Sequence, residues 1–206
     1  MLERIRSLIA IPLRLVPARA ARRFARQQDG AAAVEFALVA VPFLALTFAI
    51  IETALVFYAG QVLETAATDT GRMVMTGQGA NWSVSDFQKQ LCGGTSGSND
   101  SNPAPATAIN ALFNCQKIGI SVQTYASFAN AATGDSAAPP TTGGNIDQTK
   151  MPFAPGGPNC IIAVQLYYQW PVYVSLLGDN LSNFGSDRLL VATSVFRNEP
   201  YGPPAC

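Results

Sequence analysis

Gly30-Ala31-Ala32-Ala33-Val34-Glu35-Phe36 opens an apolar segment that runs to about Ala59. From Ala31 to Ile51 there are 21 residues with Glu35 as the only charge. At 1.5 Å per residue a helix of that length crosses the roughly 30 Å hydrocarbon layer of a bilayer. Pro42 removes one backbone donor and is expected to bend or loosen the helix, which membrane helices tolerate. A carboxylate in such a segment costs roughly 2.5–3.5 kcal/mol on insertion scales unless it faces a partner. Two readings of Glu35 follow: an ordinary first-turn acid favoured by the helix dipole, or a charge held for a specific partner.

The charge balance of 13 basic and 13 acidic residues conceals an asymmetry. Arg4, Arg6, Arg14, Arg19, Arg22, Arg23 and Arg26 face only Glu3 and Asp29 in residues 1–30. The remainder holds 6 basic and 11 acidic residues, a net charge of −5. Arginines beside an apolar helix place that end in the cytoplasm by the positive-inside rule. The same position argues against a nucleic-acid patch. Residues 1–29 carry a modest amphipathic pattern broken by Pro12 and Pro17. They read as a leader at the membrane surface. A conventional secretory signal would have an unusually long apolar core here.

The helix is expected to run on to Thr76, about 69 Å in all. Leu55, Ala59, Val62, Ala66 and Met73 mark its apolar face, and Gly77 and Gly79 stop it. Residues 81–92 suggest a short helix with Ser83 or Ser85 as N-cap. Gly93 to Pro105 and Asn130 to Pro158 read as loops, the second long enough to be mobile or functional. Alternation predicts a half-buried strand over 117–125, with Ile118, Ile120 and Val122 on one face. A strand from Cys160 to Val174 has Ile162, Val164, Leu166, Tyr168, Trp170 and Val172 on one face and Gln165 and Gln169 on the other. A last strand is expected from about Arg188 to Arg197. The fold class is α+β: a long transmembrane helix continuing into a small antiparallel sheet head. The expected layout is a cytoplasmic leader over 1–30, a transmembrane helix over 31–59, its extracytoplasmic continuation over 60–77 and a head over 78–206.

Cys92, Cys115, Cys160 and Cys206 all follow the apolar segment, on the side where disulfides persist. Of three possible pairings, Cys92 with Cys115 and Cys160 with Cys206 is favoured, because the first closes the Gly/Ser-rich loop; unpaired buried thiols are the alternative. No C-x-x-C spacing supports structural zinc. Histidine is absent, which excludes Ser-His-Asp and Cys-His chemistry. Asp69-Thr70-Gly71 spells an aspartic-protease triplet, but in a helix, and Asp135-Ser136 lacks the glycine. No phosphate loop has the required spacing. Three triplets, starting at Asn81, Asn99 and Asn180, match the glycosylation sequon, a pattern that arises often by chance. The chain reads as no enzyme, with no cofactor or metal.

The Gly30–Phe36 stretch, behind its basic leader, resembles the class III prepilin signature of the Tad/Flp pilus system, in particular the TadE-like minor pilins. The closing run Phe196-Arg197-Asn198-Glu199-Pro200 is similar to the C-terminal pattern of that family. The resemblance implies that a prepilin peptidase cuts between Gly30 and Ala31, making Glu35 the fifth residue of the mature chain, with the aromatic Phe36 after it. A glycine lets the backbone enter a membrane protease in extended form, and the new amino terminus of a neighbouring subunit can partner Glu35 during assembly. Arg197 and Glu199 share one side of an extended chain and are expected to pair, with Pro200 ending the strand. The implied protein is a minor pilin or pseudopilin of a Tad (tight adherence) pilus. It would sit in the inner membrane with its C-terminal domain in the periplasm, or extracellularly in the pilus, and serve pilus assembly and adhesion. The implied partners are the peptidase, the inner-membrane assembly platform, the major Flp pilin and a TadF-like minor pilin. The short head favours the TadE-like over the longer TadG-like members. The rival from another class is a permanently anchored bitopic protein whose periplasmic domain binds a ligand or partner, with Tyr167, Tyr168, Trp170 and Tyr173 as its surface. A secreted adhesin released by signal peptidase is disfavoured, because no small-x-small site follows the apolar run.

Overall fold

A computed structural model of the chain describes residues 30–93, 108–134, 138–173, 181–202 and 206. The leader expected over 1–29 and most of the Gly93–Pro105 loop lie outside these residues, as do Asp135, Ser136 and the sequons at Asn99 and Asn180. The chain forms two compact units, one ending at Thr47 and the other comprising Phe48–Cys206; each is described by itself.

Helix α1 runs without a break from Ala31 to Met75, 45 residues with Pro42 inside it. In the first unit its apolar side chains, including Val34, Leu38, Val39, Val41 and Phe43, are exposed around the helix. The hydroxyl of Thr47 donates to the Phe43 carbonyl at 2.8 Å, so even this polar group is satisfied within the helix. Among the described residues α1 is the one helix long and apolar enough to cross a membrane.

In the second unit the same helix becomes a spine. Its buried residues are Glu52, Val56, Ala59, Leu63, Ala67, Thr70, Gly71 and Val74, at the three- and four-residue spacing of one helical face. This corrects the expected face: Leu55 is 46% exposed, and Val62, Ala66 and Met73 are only half-buried at its margin. The stripe is chosen by small residues, since Ala59, Ala67 and Gly71 let the sheet approach the backbone. The stop falls as expected. Gly77, with φ of +84°, donates to the Val74 carbonyl at 3.0 Å, and Gly79 donates to Met73 at 3.1 Å. A left-handed glycine just past a helix satisfies its last carbonyls in this way.

The sheet has β1 (Gly119–Tyr125), β4 (Ile161–Pro171) and β5 (Asp187–Arg197) in the order β1-β4-β5, all antiparallel. Central Val164 stands opposite Val122 and Ser194. Ile162, Val164, Leu166 and Tyr168 join Ile120, Val122, Leu190 and Ala192 in one core with the α1 stripe. The β4 strand stops at Pro171, short of the expected Val174, which lies outside the described residues; a proline cannot donate to the ladder beyond it. The strand β1 is less one-sided than its alternation suggests. Ser121 is 3% exposed, and on the same face of the sheet Gln165 and Tyr167 are buried, where α4 (Phe128–Gly134) lies against β1 and β4.

A short helix, α2 (Val84–Leu91), starts at Ser83, the expected cap, in a reciprocal box: Ser83 N–H donates to Asp86 at 3.1 Å and Asp86 N–H to Ser83 Oγ at 3.3 Å. The Ser83 hydrogen bonds hold the Asp86 carboxyl below its usual range. Phe87, fully buried, stands between Trp82 and Phe153 with edge-on rings at 6.1 and 5.9 Å. The Cys92–Cys115 disulfide joins the end of α2 to the residues after α3 (Ala108–Leu112), a helix the sequence reading did not anticipate. There Ile109 and Phe113 are buried, and Phe113 meets the Tyr168 ring edge-on at 4.8 Å.

The Asn130–Pro158 stretch is not the long loop expected. Its described part holds most of α4, a hairpin of β2 (Thr141–Thr142) and β3 (Asn145–Ile146), and a 3-10 turn over Gln148–Lys150. A strap then docks on β1: Val122 N–H donates to the Pro152 carbonyl at 3.0 Å and Ala154 N–H to the Val122 carbonyl at 2.8 Å. Gln148 grips the same edge, accepting from Ile120 N–H at 2.6 Å and donating to its carbonyl at 2.8 Å. Asp147 caps the turn. The Thr142 hydroxyl above all, with Thr149 and Lys150, holds its carboxyl well below the ordinary carboxylate range.

The close approach of α1 and β5 is testable at Gly71, where an added Cβ would stand 2.9 Å from the Phe196 ring and 3.3 Å from Ser194 Oγ. Gly71→Leu is expected to destabilise the protein by about 1–3 kcal/mol through overpacking, with Arg72→Ala on the exposed side near neutral. Thermal unfolding of both variants in detergent checks this.

Candidate functional site

The first unit presents the N-terminal candidates on an open helix start. Gly30 is exposed, directly ahead of α1, and nothing lies within 4 Å of where its Cβ would be. Glu35 follows Ala31 by four residues, one turn along the same face. It is exposed, and no hydrogen bond or ion pair engages it among the described residues. Phe36 beside it is 75% exposed.

The C-terminal motif lies in the second unit and forms a clasp on the end of α1. Phe196 lies against Gly71, and the Tyr201 ring lies against Gly77. Between them Glu199 N–H donates to the Met75 carbonyl at 2.9 Å, satisfying one of the orphan acceptors at the helix end. Asn198 is 2% exposed. Its backbone N–H donates to the Cys160 carbonyl at 2.8 Å, and its amide nitrogen lies 3.2 Å from Pro155 O and 2.9 Å from Gly157 O. Arg197 and Glu199 do not form the expected pair. The Arg197 Nε–H donates instead to the Asn159 carbonyl at 3.0 Å, because that bond holds the turn before β4, whereas Glu199 contributes its backbone. Cys160–Cys206 ties the remaining chain to the same place, with Cα atoms 5.2 Å apart. An open groove of about 500 Å³ beside it is lined by Thr124, Tyr125, Asn159, Ile161, Arg197 and Cys206 among others.

The aromatic surface considered for a binding protein does not exist as such. Tyr167 and Tyr168 are buried, and Trp170 is half-buried 5.8 Å from Phe113. Only Tyr173 of the four is exposed.

The structural role of Glu52, the acid directly after the Ala31–Ile51 run, was not anticipated from the sequence. Glu52 is 8% exposed and accepts a hydrogen bond from the Tyr173 backbone N–H just beyond β4. The available signal was a second lone acid in the apolar run. Glu52 and the clasp at Met75 bracket the sheet: 23 helical residues rise about 35 Å, and the 11 residues of β4 extend about 36 Å.

Residues 30–78 match the family of TadE-like proteins. The matched TadE-like segment opens on Gly30 and closes just past the Gly77 stop, so it contains Glu35, Phe36, Glu52 and Gly71 and agrees with the resemblance carried by the Gly30–Phe36 stretch. The clasp motif lies outside it. Comparison with curated proteins and with solved structures gave no match.

If the clasp carries the junction of the TadE-like helix with the sheet, Asn198→Ala will destabilise the protein by about 1–3 kcal/mol, because it removes a buried side chain whose amide bonds the Pro155 and Gly157 carbonyls. Arg197→Ala, at an exposed site, will cost less. Denaturant unfolding followed by tryptophan fluorescence measures both.

Proposed function

We propose that the chain is a minor pilin or pseudopilin of a Tad pilus, made as a precursor and cleaved after Gly30 by a prepilin peptidase. The observation that carries this reading is the TadE-like match, which begins at an exposed glycine directly ahead of α1. In this account the arginine-rich leader stays in the cytoplasm, α1 spans the inner membrane, and the disulfide-bonded head stands in the periplasm. Cleavage frees the Ala31 amine. In the low dielectric of the bilayer, that amine and the Glu35 carboxylate of a neighbouring subunit each remove the other's desolvation cost. The exposed apolar helix then exchanges lipid for other pilin helices. The assembly platform, the major Flp pilin and a TadF-like minor pilin are the proposed partners, and surface adhesion is the proposed use of the filament.

The clasp and the two disulfides have a role in this scheme. A helix drawn out of the membrane carries its head with it, and a sheet fixed along α1 from Glu52 to Met75 moves as one piece. A permanently anchored binding protein would keep its leader. The burial of Tyr167 and Tyr168 removes the surface first suggested for it.

Intact-mass measurement of the membrane-associated protein, with and without the prepilin peptidase, tests the proposal. A chain beginning at Ala31 only when the peptidase is present is the expected result, with Glu35→Ala processed normally but absent from sheared filaments. Retention of residues 1–30 in both strains contradicts it.

A further inference from the structure

The end of the sheet nearest Glu52 carries a group of exposed apolar side chains that the fold does not use. Tyr173 is 83% exposed although its backbone N–H is fixed on Glu52. On α1, Phe48, Ile51, Leu55 and Tyr58 recur at three- and four-residue spacing and are exposed, and Phe57 beside them is 70% exposed. This stripe flanks the buried line Glu52–Val56–Ala59. Tyr173, held on Glu52 by its backbone, and the exposed stripe around Glu52 thus lie at one level of α1.

The Glu52 bond fixes where that group lies along the helix. Glu52 follows directly on the Ala31–Ile51 stretch, whose length matches the hydrocarbon layer. A backbone hydrogen-bonded to Glu52 is held at the depth of that residue. Tyrosine suits this depth, because its ring is apolar and its hydroxyl reaches the headgroups. The carboxylate is compatible with it as well, since burial against a backbone donor removes the cost of leaving it bare beside hydrocarbon.

We propose that Tyr173 and the Phe48–Tyr58 stripe form a lipid-docking collar that seats the head on the bilayer surface before the subunit leaves the membrane. The proposal rests on the reading of α1 as a membrane span. Its occupant is the lipid interface rather than a second protein, because the collar is continuous along one helix with the apolar span itself. Seating limits the tilt of the head and holds the helix at a fixed depth.

The test uses the full chain in liposomes with its four cysteines disulfide-bonded and single cysteines labelled with an environment-sensitive fluorophore. Tyr173→Cys is the main probe. Its side chain is exposed and its bond to Glu52 is made by the backbone, so the fold is retained. Gln78→Cys, exposed beyond the other end of α1, reports water, and Phe43→Cys reports the span. The expected result is blue-shifted emission at 173, quenched by headgroup spin-labelled lipid and shielded from iodide, with the reverse at 78. Iodide quenching at 173 equal to that at 78, while 43 is quenched by lipid, overturns the collar and leaves the span intact. Iodide access at 43 as well overturns the span and the collar with it. Blue-shifted emission at 173 without lipid quenching shows protein covering the site, and this also overturns the lipid assignment.

Discussion

A backbone in hydrocarbon must close its hydrogen bonds within itself, and α1 meets that constraint while also serving as one wall of a water-exposed domain. The helix continues through Pro42, which removes one donor from the ladder, and the hydroxyls of Thr47 and Thr53 bond back to the carbonyls of Phe43 and Ala49. Beyond Glu52 the same ladder supports a different side-chain arrangement. One stripe is buried under the sheet, while Gln61, Glu64, Thr68 and Arg72 are exposed to water. The change of environment is written in side chains alone.

The head depends on how that helix ends. Three contacts made by residues 196–201 meet α1 within its last turns or just past them, and two of them need glycine: Phe196 at Gly71 and Tyr201 at Gly77. Such contacts tie the last strand to the first helix across the whole head sequence, and the Cys160–Cys206 bond secures the tail beside β4. The Cys92–Cys115 bond does the corresponding work for the α2–α3 layer, whose Phe87, Ile109 and Phe113 complete the core. Small heads of this kind bury limited apolar area, and disulfides add stability by restricting the unfolded chain.

Much of this was legible before the structure. An apolar run bounded by Gly30 and by Gly77 and Gly79 predicts α1 to within a residue, because glycine stops act locally. Ser83 or Ser85 before Asp86-Phe87 suggests the α2 cap, which the structure places at Ser83, and alternation in β1 and β4 is strong enough to place those two strands. The phase of α1 was legible only in part: Ala59 lies on the expected face and is buried, but Leu55 and Val56 look equivalent until the sheet selects the side with Ala59, Ala67 and Gly71. Nor was the strap at Pro152–Ala154, where composition suggests a loop and the order comes from Val122 on another strand. Arg197 and Glu199 looked like an ion pair by spacing, but a carbonyl at Asn159 and one at Met75 claimed them separately. The Glu52–Tyr173 bond joins residues 121 apart in sequence, beyond the reach of local pattern.

The central claim is that one uninterrupted helix passes from membrane span to head spine. Amide hydrogen exchange of the full chain in nanodiscs, read by mass spectrometry on peptides covering 31–75, measures that continuity directly. Slow exchange through 52–75, matching β4 and with no fast segment at the water boundary, is the result expected. Rapid exchange across 56–75 while 31–51 stays protected would contradict the claim and leave the head tethered by a loose linker.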